Sequence, residues 1–267
     1  MKSYPAPLRL GIFLLTLLGI WLPIAIPCQI LLQGQENLLN ILAMGALFLE
    51  FLILTWIWGK YVYHLNLFKA YGWGISRYQG IELLQGLAWG ISFTIGLLLV
   101  EHGLGLIILI PSQEPMFRFL WEGMATGLGV AWAEETLFRG WLWYELEQDY
   151  TKQKTLWLTS IVFATLHFLK PIAEIVRTWP TWPGLLLLAL ILGNTKRSHG
   201  NRLGTAIGLH GGMVWTYYIF NVGGLIQYPP NVSPWLTGID QNPIAGLMGI
   251  MGLIILGIIL APSPPHP

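Results

Sequence analysis

Five residues in a very apolar chain have the types and spacing for joint chemistry. Glu134, Glu135 and Arg139 lie in AWAEETLFRGW, His167 closes FATLH, and His210 sits in GLHGG. A charge at mid-bilayer costs roughly 3 kcal/mol or more unless it is paired or hydrated, so each group needs a partner or a task. On a helix, Glu135 and Arg139 are i,i+4 neighbours and can pair. Glu134 points about 100° away from Glu135 and must find its partner on another segment. A carboxylate and an imidazole can hold one water and take its proton. A second imidazole can donate to an oxyanion as it develops. Two His and one Glu also match a catalytic zinc site with an open position for water, and on that route zinc takes Glu134, His167 and His210. Both routes are hydrolyses without a covalent intermediate, and no Ser, Cys or Thr stands out as an activated nucleophile. Water activation without metal is favoured, because Glu134 and His167 already supply a base and an orienting partner.

The elements that must position these groups read as membrane helices. The chain has 267 residues, 54% hydrophobic and only 10% charged, where a soluble domain carries roughly 25% charged residues. A net charge of +1 without a basic patch argues against a nucleic-acid partner. The single cysteine, Cys28, excludes an intramolecular disulfide and a multi-cysteine zinc site. Spanning takes about 20 apolar residues. Segments near 8–27, 40–58, 81–100, 117–147, 154–169, 184–194, 203–221 and 244–261 qualify, the sixth being short, with Pro, Gly and charge in the gaps. The first reads as an uncleaved helix, since it exceeds a signal core and no small-residue cleavage site follows it. Residues 61–79 mix charges with aromatic and aliphatic side chains and read as an interfacial stretch. The expected fold is all-α and polytopic: about eight transmembrane helices around an intramembrane cavity. It divides into an N-terminal hairpin with the interfacial segment (1–80), a catalytic core (81–222) and an outer loop with a last helix (223–267).

With the N-terminus in the cytoplasm and eight crossings, only Arg118, Lys170 and Arg177 fall outside, and the other eleven of the 14 Lys and Arg fall inside. That asymmetry predicts cytoplasmic termini. The basic stretch GNTKRSHGNR reads as an inner loop that sets topology. Depth follows from the helical rise: Glu134 and His167 each lie about 20 Å from the inner end of their helix, and His210 about 10 Å. His64, His102, His199 and His266 fall in or near loops and read as surface residues.

EETLFR, FATLH and GLHGG, in this order and spacing, resemble the EExxxR, FxxxH and third-histidine motifs of the CPBP intramembrane proteases, which include type II CAAX prenyl endopeptidases and bacteriocin-processing proteins. The likeness covers about residues 80–222. LTGIDQNPIAGLMG and GLHGGMVWTYY resemble cyanobacterial and plastid members, which implies a bacterial inner or thylakoid membrane. The resemblance implies an intramembrane endopeptidase acting on membrane-associated proteins or peptides. In it Glu134 and His167 activate water, His210 stabilises the oxyanion, and Glu135 with Arg139 is structural or positions the substrate. Family members are often labelled metalloproteases. One departure concerns the Asn that often follows the last histidine by four residues. Val214 stands there, Asn221 is about 16 Å away along the helix, and Tyr217 and Asn194 are the remaining candidate donors.

Structural readings stand beside these. A buried Glu-Arg pair can simply lock helices, and a lone intramembrane His can be an interhelical hydrogen bonder. A non-catalytic scaffold, immunity protein or chaperone of the same family is the alternative function. A transporter is more distant, because no inverted repeat is visible.

Overall fold

The computed structural model describes residues 4–261 and is all-α apart from one two-residue ribbon. Lys2 and His266 lie outside the described residues. All eight apolar segments are helical, and they differ in length. Three helices are long and apolar enough to cross a membrane: Ala6–Leu31, Asn37–Tyr63 and Arg77–Gly103. A fourth span arises if Ile172–Thr178 and Thr181–Ser198, bent by 74° from each other, count as one.

In chain order, α1 (Ala6–Leu31) and α2 (Glu36–Trp58) form the N-terminal hairpin, and α2 ends in a π-helical turn, Gly59–Tyr63. After the short α3 (Leu67–Tyr71) comes α4 (Arg77–Gly103). α5 (Met116–Glu135) runs through a π-helical stretch, Thr136–Leu142, into α6 (Trp143–Glu147). α7 (Lys152–Leu166), α8 (Ile172–Thr178), α9 (Thr181–Ser198) and α10 (Gly204–Asn221) complete the site-bearing region. α11 (Pro234–Thr237) and α12 (Leu247–Ile259) follow. Strands β1 (Ile108–Leu109) and β2 (Ile226–Gln227) pair antiparallel and tie the loop after α4 to the loop after α10. At 15 and 13 residues, α7 and α12 rise only about 20 Å, short of a 30 Å hydrocarbon layer.

α10 is the axis of the bundle, and glycine lets two helices approach its backbone. A Cβ on Gly208 would lie 2.1 Å from the Leu83 carbonyl oxygen of α4, and one on Gly90 of α4 would lie 2.3 Å from that of Leu209. On the α5 side, a Cβ on Gly127 would lie 2.7 Å from the Gly211 carbonyl oxygen. Small residues at such contacts give close van der Waals packing where lipid offers no hydrophobic drive. The glycines of GLHGG therefore press α10 against α4 and α5 and bring His210 up to Glu135.

The rest of the core is aromatic. Phe13, Phe51, Tyr63, Trp141 and Phe163 join α1, α2, the π stretch and α7 in one buried cluster. Its charged lock is Arg9 on α1, which is 1% exposed. Arg9 Nε donates to Glu145 Oε2 of α6 at 2.8 Å, and the Tyr63 hydroxyl donates to the same carboxylate at 2.8 Å. The helix that carries the two adjacent glutamates is thus pinned at its far end to both N-terminal helices.

The segment expected to lie along the surface partly packs inward. Leu67 and Tyr71 are buried, and the Leu203 N–H donates to the Gly72 carbonyl. Gly72 has φ +97°, and a Cβ there would lie 2.1 Å from the Asn201 carbonyl oxygen, so only glycine fits this turn. α10 therefore starts inside the protein.

Candidate active site

Glu134 and Glu135 end α5 just where hydrogen bonding widens into the π-helical stretch. π segments occur frequently at functional sites. Glu135 is fully buried and accepts from Arg139 at 3.0 Å. Arg139 is itself buried, donates to the Ala189 carbonyl of α9 at 3.1 Å, and lies over the Phe163 ring. His210 Nδ1 meets the same Glu135 oxygen at 3.0 Å. One carboxylate oxygen thus joins α5 to α10 and to the guanidinium, a contact the sequence reading missed by assigning Glu135 to Arg139 alone.

Glu134 takes the other side of the same imidazole. Its Oε2 lies 3.9 Å from His210 Nε2 and 3.9 Å from His167 Nε2. The two glutamates diverge on the helix, as 100° per residue requires, yet they share His210 through its two nitrogens. His167 is the C-cap of α7, one residue beyond the helix, where a helical interior position was expected. Its Nδ1 lies 2.7 Å from the Phe163 carbonyl oxygen. That oxygen only accepts, so Nδ1 carries the proton and Nε2 faces Glu134 with its lone pair in the neutral ring. Glu134 and His167 are 28% and 33% exposed, whereas Glu135 and Arg139 are closed off. The geometry separates an accessible carboxylate–imidazole pair from a buried pair behind it.

An open groove of about 840 Å³ is lined by Trp73, Leu83, Trp132, Leu203 and Ile207, with Lys69 and Gln79 among its polar members, and by none of the five cluster residues. Trp132 precedes Glu134 by two residues, and Ile207 precedes His210 by three. The candidate oxyanion donors do not converge. Tyr217 accepts from Asn221, and Asn194 lines a separate apolar pocket with Leu187 and Ile254. Val214 offers no polar atom.

The residues named for zinc do not fit it in this arrangement. Among the described residues, no group of three or more His, Cys, Asp or Glu is placed to hold a metal ion. Both Nε2–carboxylate separations are 3.9 Å, wider than the roughly 3.3 Å between ligands of a tetrahedral zinc with bonds near 2.0 Å. Treating purified protein with a chelator is accordingly expected to leave peptide hydrolysis within about twofold of the untreated rate. Activity lost with stoichiometric zinc and restored by adding it back would contradict this.

Fold and site together define a polytopic α-helical membrane protein with a carboxylate–imidazole cluster fit for hydrolysis. Residues 116–216 match the model of the family described as type II CAAX prenyl endopeptidase, Rce1-like. The matched segment contains Glu134, Glu135, Arg139, His167 and His210. No curated protein and no solved structure matches the chain.

Sequence reasoning also missed Lys196, which it placed in an inner loop. The residue is 2% exposed and lies in α9, one heptad after Ala189 on the same face. The spacing of Leu185, Ala189, Leu192 and Lys196 marks that buried face.

Proposed function

We propose that the protein is an intramembrane endopeptidase that hydrolyses peptide bonds of membrane-associated proteins or peptides. The observation that carries this reading is the Glu134 carboxylate set between the Nε2 atoms of His167 and His210. In the proposed reaction Glu134, oriented with His167, takes a proton from a water as its oxygen attacks the scissile carbonyl. His210 faces the developing oxyanion through Nε2. Its Nδ1 is held by Glu135, so donation from Nε2 as well requires the imidazolium form. Glu134 then returns the proton to the leaving amine. Mass spectrometry of membrane peptides from wild-type cells and cells carrying Glu134→Gln tests the reading. Cleavage products missing only from the variant support it, and identical peptide sets sink it in favour of a scaffold.

Both termini are proposed to face the cytoplasm. Three of the eleven cations that suggested this are buried in structural roles: Arg9, Arg139 and Lys196. With eight crossings, the remaining eight still outnumber the outer three. A C-terminal reporter should be active only on the inner side, and activity confined to the outer side would reverse the assignment.

A further inference from the structure

We propose that Lys196 is a positioning residue for the reacting groups, acting through the π-helical register of the helix that bears them. At the end of the π stretch the Trp143 N–H reaches the carbonyls of Gly140 and, five residues back, Phe138, and bypasses that of Arg139. The Lys196 ammonium donates to the bypassed oxygen and lies 5.0 Å from the centroid of the Trp143 ring. α9 therefore grips Arg139 twice: the Ala189 carbonyl receives its guanidinium, and Lys196 supplies a donor to its backbone.

The register matters because the helix is fixed at two places. At one end Glu145 is bound by Arg9 and Tyr63. At the other, Glu135 is bound by Arg139 and His210. A π turn takes up one extra residue between them. Reversion to i→i−4 bonding would rotate one end against the other by about 100°. Either the Glu145 lock or the glutamate pair would then leave its partners. Without Lys196, the Arg139 carbonyl would lose its side-chain donor in the π form, and that form would lose part of its advantage over the α form. The site thus depends on a lysine that touches none of the reacting atoms.

The proposal rests on the reading of Glu134 and His210 as reacting groups, and its test separates the two. Protein labelled with [¹⁵N]histidine and purified in detergent gives a His210 Nδ1 signal, assigned with His210→Gln. Turnover is followed on a farnesylated peptide with three residues beyond its cysteine. In Lys196→Met the Nδ1 signal should shift, and kcat should fall on the order of tenfold to a hundredfold with KM within about twofold, as expected for a displacement near 1 Å. Lys196→Arg, which retains a donor, should recover part of both. If Lys196→Met gives no folded protein, Lys196→Gln, with its shorter donor, is read the same way. A wild-type His210 signal with wild-type kcat overturns the proposal, as does a defect that Lys196→Arg fails to relieve. Absence of turnover in the wild type would count against the peptidase reading, while the Nδ1 signal would still decide the register claim.

Discussion

Glu134→Gln is expected to abolish peptide hydrolysis and leave the fold intact. The amide keeps the shape of the carboxylate but cannot accept the water proton, and a positioned general base contributes about 10²–10⁴-fold in rate. A loss of at least a hundredfold is expected. Stability should change little, because Glu134 is partly exposed and neither imidazole approaches it within direct hydrogen-bond distance. His167 is held by Phe163 and His210 by Glu135, so both rings keep their places when Glu134 changes. The measurement is turnover of a membrane peptide by purified protein, beside a melting curve in the same detergent. Full turnover in the variant would end the assignment of Glu134 as base. Lost turnover together with lost melting would show the residue to be structural.

The sequence pointed to the polar cluster more directly than to the architecture around it. Charge in an apolar chain is costly, so the residues that carried it pointed to a site, and the structure brings Glu134, His167 and His210 to one place. What it did not reveal is how they are brought there. The π-helical stretch has no residue signature, because it reflects a phase mismatch between Glu145 at one end and Glu135 at the other, each fixed by distant partners. Lys196 was hidden for a related reason. A lysine beside Arg197 reads as loop charge until α9 is known to continue to Ser198. The ends of the shorter elements were not legible either: α7 stops at His167, and α8 turns by 74° into α9.

Arg139→Met is expected to cost more stability than any change at Glu134. It leaves Glu135 fully buried, with His210 as its remaining partner. Removing one member of a buried ion pair typically costs about 3–5 kcal/mol, because the other charge stays desolvated. Here the Ala189 carbonyl also loses its guanidinium, and Phe163 loses the cation above its ring. Folded yield in detergent should collapse, or the melting temperature should fall sharply. Glu135→Gln should destabilise by the same logic from the other side, and it should also slow turnover, since His210 Nδ1 loses an ionised acceptor. The pair Glu135→Gln with Arg139→Met removes both charges, so its cost should fall below the sum of the single changes by about 0.5–3 kcal/mol, the usual coupling of residues in contact. Turnover should stay low in that double variant even where stability returns, because the acceptor that orients His210 is still altered. Additive stability losses would show that the two residues do not act as a pair. Restored turnover in the double variant would show that Glu135 serves the fold alone and has no part in aiming the imidazole.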